Sequence, residues 1–254
     1  MTFLGDGVPQ WIAGQGRRSN VVRQHLVASQ LADVTASGPA LRVLDVGCGQ
    51  GTQALGLARA GHAVTGLDPS PALLAEFRAA LAAEPEDVRM RVQLVEGAGT
   101  DAPRLTPGPF DLICCHGVLM YLDDPGPFLA ALTAVAAPGA RLSLLVRNGL
   151  ALAMRPGLRG DSAAALAAFD RLDYVNRWGI AARAHTPAGL DGTCAPLGWR
   201  PERWFGVRVF SDHRDEPSTT PGPELEALLA AEREAGRRDP YRQVAALLHL
   251  VYLR

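Results

Sequence analysis

The sequence predicts an α/β protein built on a doubly wound, mostly parallel sheet. Short apolar runs alternate with segments whose apolar residues recur at helical spacing, and Pro or Gly stands at the borders of those segments. Strands that alternate with helices need crossover connections, which favour a parallel sheet covered by helices on both faces. The chain has 254 residues, 48% of them hydrophobic, and this is enough for one large domain.

The first part of the chain supplies most of the predicted elements. Five apolar bursts predict strands, at residues 41–46, 63–67, 91–95, 110–115 and 141–146. Three segments with helical spacing lie between them, at residues 52–60, 71–83 and 126–136. This order is typical of consecutive βαβ units that form one sheet.

After Asn148 the alternation stops and later resumes. Residues 149–187 contain many Ala and Arg residues and several aromatics, which indicates an insertion that covers the carboxyl edge of the sheet as a lid. The remaining predictions are a helix at 188–197, a strand at 201–210, a helix at 224–234 and a strand at 244–253. We therefore expect seven strands in a single domain, 1–254, with residues 1–40 as an N-terminal helical cap and residues 216–223 poorly ordered.

Composition excludes several classes of protein. The formal net charge of -1 gives no overall field towards nucleic acid or an anionic membrane, so an RNA partner would need a local basic patch. The first residues lack a signal peptide, and no apolar run approaches the ~20 residues of a membrane span, so we expect a cytoplasmic protein without a membrane partner. The four cysteines have no metal-ligand spacing, which predicts reduced packing residues and no metal site; they are Cys48, Cys114, Cys115 and Cys194.

A glycine-rich turn follows the first predicted strand. The turn reads Gly47-Cys48-Gly49-Gln50-Gly51, and Thr52 occupies the place of the third glycine of the dinucleotide pattern G-x-G-x-x-G. A carboxylate two residues before the turn, Asp45, suits a cationic amino-acid group better than a pyrophosphate. Asp68 ends the second predicted strand, where an acid can accept both hydroxyls of a ribose. The ligand indicated is a nucleoside that carries positive charge.

These residues resemble the class I S-adenosylmethionine-dependent methyltransferases, which have a Rossmann-like fold. The resemblance rests on V-L-D-V-G-C-G-Q-G, Asp68, F-D-L-I and P-G-A-R-L, and covers residues 41–147. It implies that S-adenosylmethionine is the cofactor and that the three glycines admit its methionine moiety. It also implies that Asp68 holds the ribose, and that Gly99 and Thr100 flank the adenine.

Shorter pieces outside that region are similar to one group of these enzymes, the tRNA 5-carboxymethoxyuridine carboxyl methyltransferases. The pieces are V-V-R-Q-H-L, H-G-V-L-M-Y, L-S-L-L-V-R-N-G-L, G-V-R-V-F-S-D-H and D-P-Y-R-Q-V. By this likeness the acceptor is a carboxylate on the wobble uridine of a tRNA anticodon loop. Arg23 would bind the carboxylate of the cofactor, and His116 would line the cleft shared by cofactor and acceptor.

A carboxylate acceptor determines which further residues are needed. The acceptor is ionised at neutral pH, because the reference pKa of a carboxyl is near ~4, and so it needs a cation to orient it and no general base. The planar fork of arginine matches a carboxylate bidentately. We expect Arg208, placed by the sequence within a strand, to be this clamp, with Arg147 second; Asn148 and His213 are weaker candidates.

Three functions remain open from the sequence. A tRNA methyltransferase needs several phosphate contacts, and the basic residues that could supply them are Arg171, Arg177, Arg183, Arg237, Arg238 and Arg242. Residues 161–185 lack lysine and contain opposing aspartates, which favours a small-molecule acceptor; Tyr174 and Trp178 there could stack on a base. A non-catalytic binding module is the third possibility, and the intact glycine turn and Asp68 argue against it. The sequence does not predict an oligomeric state.

Overall fold

The structure, a computed structural model, describes residues 17–36, 38–176, 178–214 and 221–254. The strands are β1 (Arg42–Val46), β2 (Ala63–Asp68), β3 (Val92–Glu96), β4 (Phe110–His116), β5 (Ala136–Arg147), β6 (Asp173–Val175), β7 (Ala181–Arg183), β8 (Arg200–Val207) and β9 (Leu247–Leu253). The α-helices are α1 (Arg18–Thr35), α2 (Thr52–Arg59), α3 (Pro71–Ala82), α4 (Glu86–Arg89), α5 (Ala102–Leu105), α6 (Gly126–Ala134), α7 (Met154–Leu158), α8 (Ser162–Ala168), α9 (Pro187–Cys194) and α10 (Pro223–Arg237).

Seven of the strands form one sheet, as the sequence predicts, and their order is β3-β2-β1-β4-β5-β9-β8. The first five strands are parallel, and β9 runs antiparallel to both β5 and β8. The chain reverses its direction of travel across the sheet between β1 and β4, where Val46 pairs with Cys115. In open α/β sheets, ligands bind outside the carboxyl ends of the strands at such a point.

Helices cover both faces of the sheet and bury an apolar layer on each. On one face, Val22 and Leu26 of α1 pack with Phe77 of α3, and all three are fully buried. On the other face, Leu129 of α6 packs in the same cluster as Trp199, whose indole N–H donates to Thr133 at 2.7 Å. Burial of the helix faces explains why segments of modest helical propensity form at the predicted places.

The strand that the sequence predicts at residues 201–210 ends earlier, at Val207. Arg208 has a φ of 65°, in the left-handed region, so the strand cannot continue through it. The next backbone N–H groups, of Val209, Phe210 and Ser211, donate at 2.7, 3.1 and 3.0 Å to the buried carboxylate of Glu232 on α10. The expectation that Arg208 lies within a strand is therefore wrong, because a carboxylate from a distant helix captures the donors that a strand would use.

The segment 149–187 contains short elements that lie outside the main sheet. It begins with a turn of 3₁₀ helix, Gly149–Ala151, continues through α7 and α8, and ends with the antiparallel pair β6 and β7. The backbone N–H of Gly149 donates to the carbonyl of His185 at 2.8 Å, which joins the two ends of the segment. Most of the stretch 216–223, predicted to be poorly ordered, and residues 1–16 of the predicted cap lie outside the described residues.

Among the helices described, none is both long enough and apolar enough to cross a membrane.

Candidate active site

A cleft of about 830 Å³ lies at the carboxyl ends of β1, β2, β3 and β4, beneath the segment 149–187. Nine of the residues that the sequence predicts for the site line this cleft: Arg23, Gly47, Gly49, Asp68, Gly99, Thr100, His116, Arg147 and Arg208. Two others, Asp45 and Gly51, lie behind its wall. The fold thus brings residues from the ends of β1, β2, β4 and β5, and from the segments just after β3 and β8, to one cavity.

The glycine turn has two separate functions. Gly47, with a φ of 70°, lines the cleft, and a Cβ on it would lie 2.3 Å from a methyl of Val118. Gly51, with a φ of 82°, caps α2, and a Cβ on it would lie 2.3 Å from the ring of Phe77. Gly47 therefore allows Val118 to pack against the turn in the cleft wall, whereas Gly51 is required by the packing of α3 against the turn.

Asp68 holds the glycine turn in place. Its Oδ2 accepts from the backbone N–H of Gly49 at 2.8 Å, and its Oδ1 accepts from the N–H of Ser70 at 2.8 Å. Burial raises the pKa of this carboxyl, while the two backbone donors act in the opposite direction. Each carboxylate oxygen has a second lone pair, so Asp68 can bind the turn and still accept from a ligand hydroxyl at the cleft.

Asp45 is a buried carboxyl directly behind the turn. Burial, with a smaller contribution from the charge of Asp68, raises the pKa of Asp45 to about 7. A cation in the adjacent cleft would favour the ionised form. The predicted charge complementarity between Asp45 and a positive ligand would therefore act through the wall, without a direct contact.

His116, the last residue of β4, belongs to a chain of buried polar groups. Its Nε2 lies 2.8 Å from Ser143 Oγ, which lies 2.7 Å from His249 Nε2, and His249 Nδ1 lies 2.7 Å from Gln30 Oε1. Burial lowers the pKa of His249 to about 3. Burial, with the neighbouring charges of His249 and Arg23, lowers the pKa of His116 well below its usual range. Both imidazoles are therefore neutral at pH 7.

Arg147 and Arg208 meet at a carboxylate that the sequence reasoning missed. Arg147 Nη1 donates to Asp212 Oδ2 at 3.1 Å, and Arg208 Nη2 donates to Asp212 Oδ1. Arg155 donates to the backbone carbonyl of Asp212 and lies 3.8 Å from its carboxylate. Burial raises the pKa of Asp212, but the charges of the three arginines outweigh burial and hold the pKa below its usual range.

The arginine cluster keeps a surplus of positive charge at the cleft. All three arginines and Asp212 line the cavity, so three cations face one carboxylate. The Nε atoms of Arg147 and Arg208 are buried and have no hydrogen-bond partner among the described residues. Arg147 also lies over the ring of Tyr174, 5.9 Å from its centroid. A ligand with an anionic group next to a planar ring would match this end of the cleft, because the arginines can bind the anion and Tyr174 can contact the ring.

The other predicted residues fall in several places. Tyr174, Trp178 and Arg171 line the cleft, while Arg183 pairs with Asp173 at 2.9 Å.

Asn148 is fully buried and has a structural set of hydrogen bonds. Its side chain donates to the carbonyls of Gln243 and Ala245 and accepts from the N–H of Leu150. The arginines near α10 lie outside the cleft wall and pair with acids, in the pairs Arg237–Asp33, Arg238–Glu234 and Arg242–Asp239. His213 lies outside that wall as well, and Arg177 lies outside the described residues.

No group of three or more His, Cys, Asp or Glu residues within the described ranges could hold a metal ion. The four cysteines are free thiols, three of them buried, in agreement with the packing role expected from their spacing.

Comparison with known proteins places this fold and cleft in a family. The family model described as "Methyltransferase domain" matches residues 44–144. A tRNA 5-carboxymethoxyuridine methyltransferase from Escherichia coli (strain K12) is 31% identical over 245 residues, 92% of this chain and 89% of the relative. A ubiquinone biosynthesis O-methyltransferase from Xanthomonas campestris pv. campestris (strain B100) is 35% identical over 129 residues, 51% of this chain and 50% of that protein.

Among solved structures, the magnesium protoporphyrin IX methyltransferase of Synechocystis PCC 6803, with bound SAH, has the same fold. It superimposes with a TM-score of 0.63 at 18% identity, and the match covers 99% of this chain and 95% of that one. The full-length relative at 31% identity, the sheet order and the cleft at the glycine turn agree with one another. The chain belongs to the class I S-adenosylmethionine-dependent methyltransferases.

Proposed function

We propose that this methyltransferase esterifies a carboxylate on the uridine base of a tRNA, as in 5-carboxymethoxyuridine. The observation that carries the proposal is the pair Arg147 and Arg208, held by Asp212 at the cleft with a surplus of positive charge. Arginine forks match carboxylates, and an acceptor that is already ionised needs orientation rather than a base. The name of the full-length relative from Escherichia coli agrees with this acceptor.

The cofactor of the family is S-adenosylmethionine, and the residues of the cleft fit it. Gly47 and Gly49 line the cleft at the turn, Asp68 keeps lone pairs for ribose hydroxyls, and Gly99 and Thr100 line the cavity after β3. Arg23 on α1 lines the same cavity next to His116, in a place where a cation can bind the carboxylate of an amino acid. These placements are the ones that we propose for cofactor binding.

The protein residues contribute mainly orientation and exclusion of water. When bound, S-adenosylmethionine supplies a methyl group activated by a sulfonium centre. Arg147 and Arg208 would hold the acceptor carboxylate with one oxygen directed at that methyl group. Orientation of this kind can supply about 7–11 kcal/mol of the barrier reduction. His116 is neutral, so no cation from its ring opposes a positive cofactor.

We also propose that residues 149–187 act as a lid for the acceptor. Tyr174 and Trp178 from this segment line the cleft, Tyr174 beside Arg147, and both rings can stack on a nucleobase. Arg171 lines the cleft as well. The segment therefore offers both an aromatic surface and a positive charge to a base extended from an anticodon loop.

One observation favours a small carboxylate-bearing metabolite as an alternative acceptor. The arginines that the sequence offers for phosphate contacts near α10 are paired with Asp33, Glu234 and Asp239 and lie away from the cleft. Their positive charge is largely offset. An enzyme for a small acceptor would need only the cleft and the arginine cluster.

The experiment that tests the proposal is methyl transfer to RNA. The protein is incubated with labelled S-adenosylmethionine and bulk tRNA from a strain that lacks this protein. The nucleosides are then separated and identified by mass spectrometry. We expect label in the methyl ester of 5-carboxymethoxyuridine. Label on a different nucleoside would contradict the carboxylate acceptor. Unlabelled RNA together with measurable cofactor binding would contradict the tRNA substrate and favour the small-molecule alternative.

A further inference from the structure

The donor and acceptor of each hydrogen bond can be assigned along the polar chain that ends at His116. His249 is fully buried and neutral, so its ring carries one N–H. Gln30 presents its carbonyl oxygen to Nδ1 of His249, which places the N–H on Nδ1 and leaves Nε2 as an acceptor. The hydroxyl of Ser143 must then donate to Nε2 of His249, 2.7 Å away.

That direction extends to His116. Since the single proton of the Ser143 hydroxyl is directed at His249, its oxygen is left to accept from Nε2–H of His116 at 2.8 Å. A neutral imidazole protonated at Nε2 has a lone pair on Nδ1. In this structure Nδ1 of His116 is buried and has no hydrogen-bond partner among the described residues, although the ring lines the cleft. Buried polar atoms are usually paired, so this atom points to a missing donor.

The surroundings of His116 identify the kind of donor. Its neighbour Cys115 pairs with Val46, so His116 stands next to Gly47 at the start of the glycine turn. Asp45 lies behind that turn, and the positive charge of Arg23, which lines the same cleft, also acts on the imidazole. The lone pair of His116 and the carboxyl of Asp45 can attract the ammonium of an amino acid, and the guanidinium of Arg23 can attract its carboxylate.

We propose that Gln30, His249 and Ser143 are positioning residues that hold His116 in its Nε2–H tautomer, so that its Nδ1 accepts a hydrogen bond from the ammonium of the cofactor. This inference rests on the proposed placement of S-adenosylmethionine. It assigns a function to three buried residues on α1, β5 and β9, none of which lines the cleft. They act through His116 and do not touch the ligand.

Two ligands separate this role from a general effect on the cleft. S-Adenosylhomocysteine has the amino-acid end, whereas 5′-methylthioadenosine has the same nucleoside and lacks the ammonium. We expect Ser143→Ala to lower the affinity for S-adenosylhomocysteine about tenfold in calorimetry, which is the size of one hydrogen bond to a charged group. The affinity for 5′-methylthioadenosine should stay unchanged. Ser143→Thr keeps the hydroxyl and should restore the affinity.

An equal loss for both ligands, or a loss in Ser143→Thr as large as in Ser143→Ala, would overturn the positioning role. Wild-type protein that binds neither ligand would overturn the proposed cofactor site as well, so the two failures are distinguishable. A second measurement needs no variant. Nitrogen NMR of histidine-labelled wild type should show His116 protonated at Nε2, with its Nδ1 signal shifting when S-adenosylhomocysteine binds; protonation at Nδ1 would overturn the inference.

Discussion

Arg147 and Asp212 are joined by a hydrogen bond of 3.1 Å in the wall of the cleft, although 65 positions separate them in the sequence. The same carboxylate also accepts from Arg208. One aspartate thus sets the spacing of two guanidinium groups, one at the end of β5 and the other just after β8. We expect the separation of those groups, rather than either arginine alone, to determine how the cleft binds an anion.

Replacement of Arg208 should affect catalysis and spare the cofactor. In Arg208→Ala we expect unchanged affinity for S-adenosylmethionine and a fall in methyl transfer of about 100-fold or more, because the acceptor loses its orientation. Arg208→Lys keeps the charge but loses the fork, so its activity should be low as well. The matched control is Arg91→Ala, which removes an ion pair with Asp87 on the outside of the protein. Full turnover in both Arg208 variants would refute the clamp.

Asp212 should stabilise the fold only when it is ionised. Its pKa in the folded protein is below the unfolded value of about 3.9, so its contribution is complete well above that pH and disappears as the pH falls through the folded value. Asp212→Asn should lower the free energy of unfolding by about 3–5 kcal/mol at neutral pH, because three arginines lose a buried charged partner. Urea unfolding of both proteins should show the difference shrinking in acid; a difference that is constant with pH would contradict the assignment.

Asp45 should have the opposite pH dependence. Its folded pKa of about 7 is above the unfolded value, so its favourable contribution is complete below about pH 4 and is lost as the pH rises towards 7. We expect Asp45→Asn to gain stability relative to wild type between those pH values, by about 4 kcal/mol at most. The measurement is urea unfolding at several pH values, and parallel profiles for the two proteins would show that Asp45 does not titrate in this range.

Gly51 should be sensitive to a single methyl group. In Gly51→Ala the new Cβ would lie 2.3 Å from the ring of Phe77, and the residue would keep a positive φ. We therefore expect the free energy of unfolding to fall by about 2–5 kcal/mol. Gly61→Ala is the control, because Gly61 also has a positive φ but nothing lies within 4 Å of its Cβ position; strain alone should cost about 1–2 kcal/mol. Chemical denaturation measures both variants. If Gly51→Ala and Gly61→Ala lose the same free energy of unfolding, the contact with Phe77 adds no cost.

The sequence by itself determined the order of elements and the place of the cleft. Apolar periodicity and the Gly and Pro borders act over a few residues, so they predict strands and helices directly. The seven strands, the glycine turn after β1 and Asp68 at the end of β2 all lie where these local patterns indicate. Since parallel strands direct their carboxyl ends to one edge, the location of the ligand site follows from the same patterns.

The tertiary structure decided which polar groups meet there. Glu232 ends β8 at Val207 by capturing backbone donors from 21 to 23 positions away, and this places Arg208 and Asp212 at the cleft. The only local signal was that Asp212 stands four residues after Arg208 within G-V-R-V-F-S-D-H. The hydrogen bond between His249 and Gln30 spans 219 positions. Contacts at such separations depend on how helices pack on the sheet, and no local pattern encodes that packing.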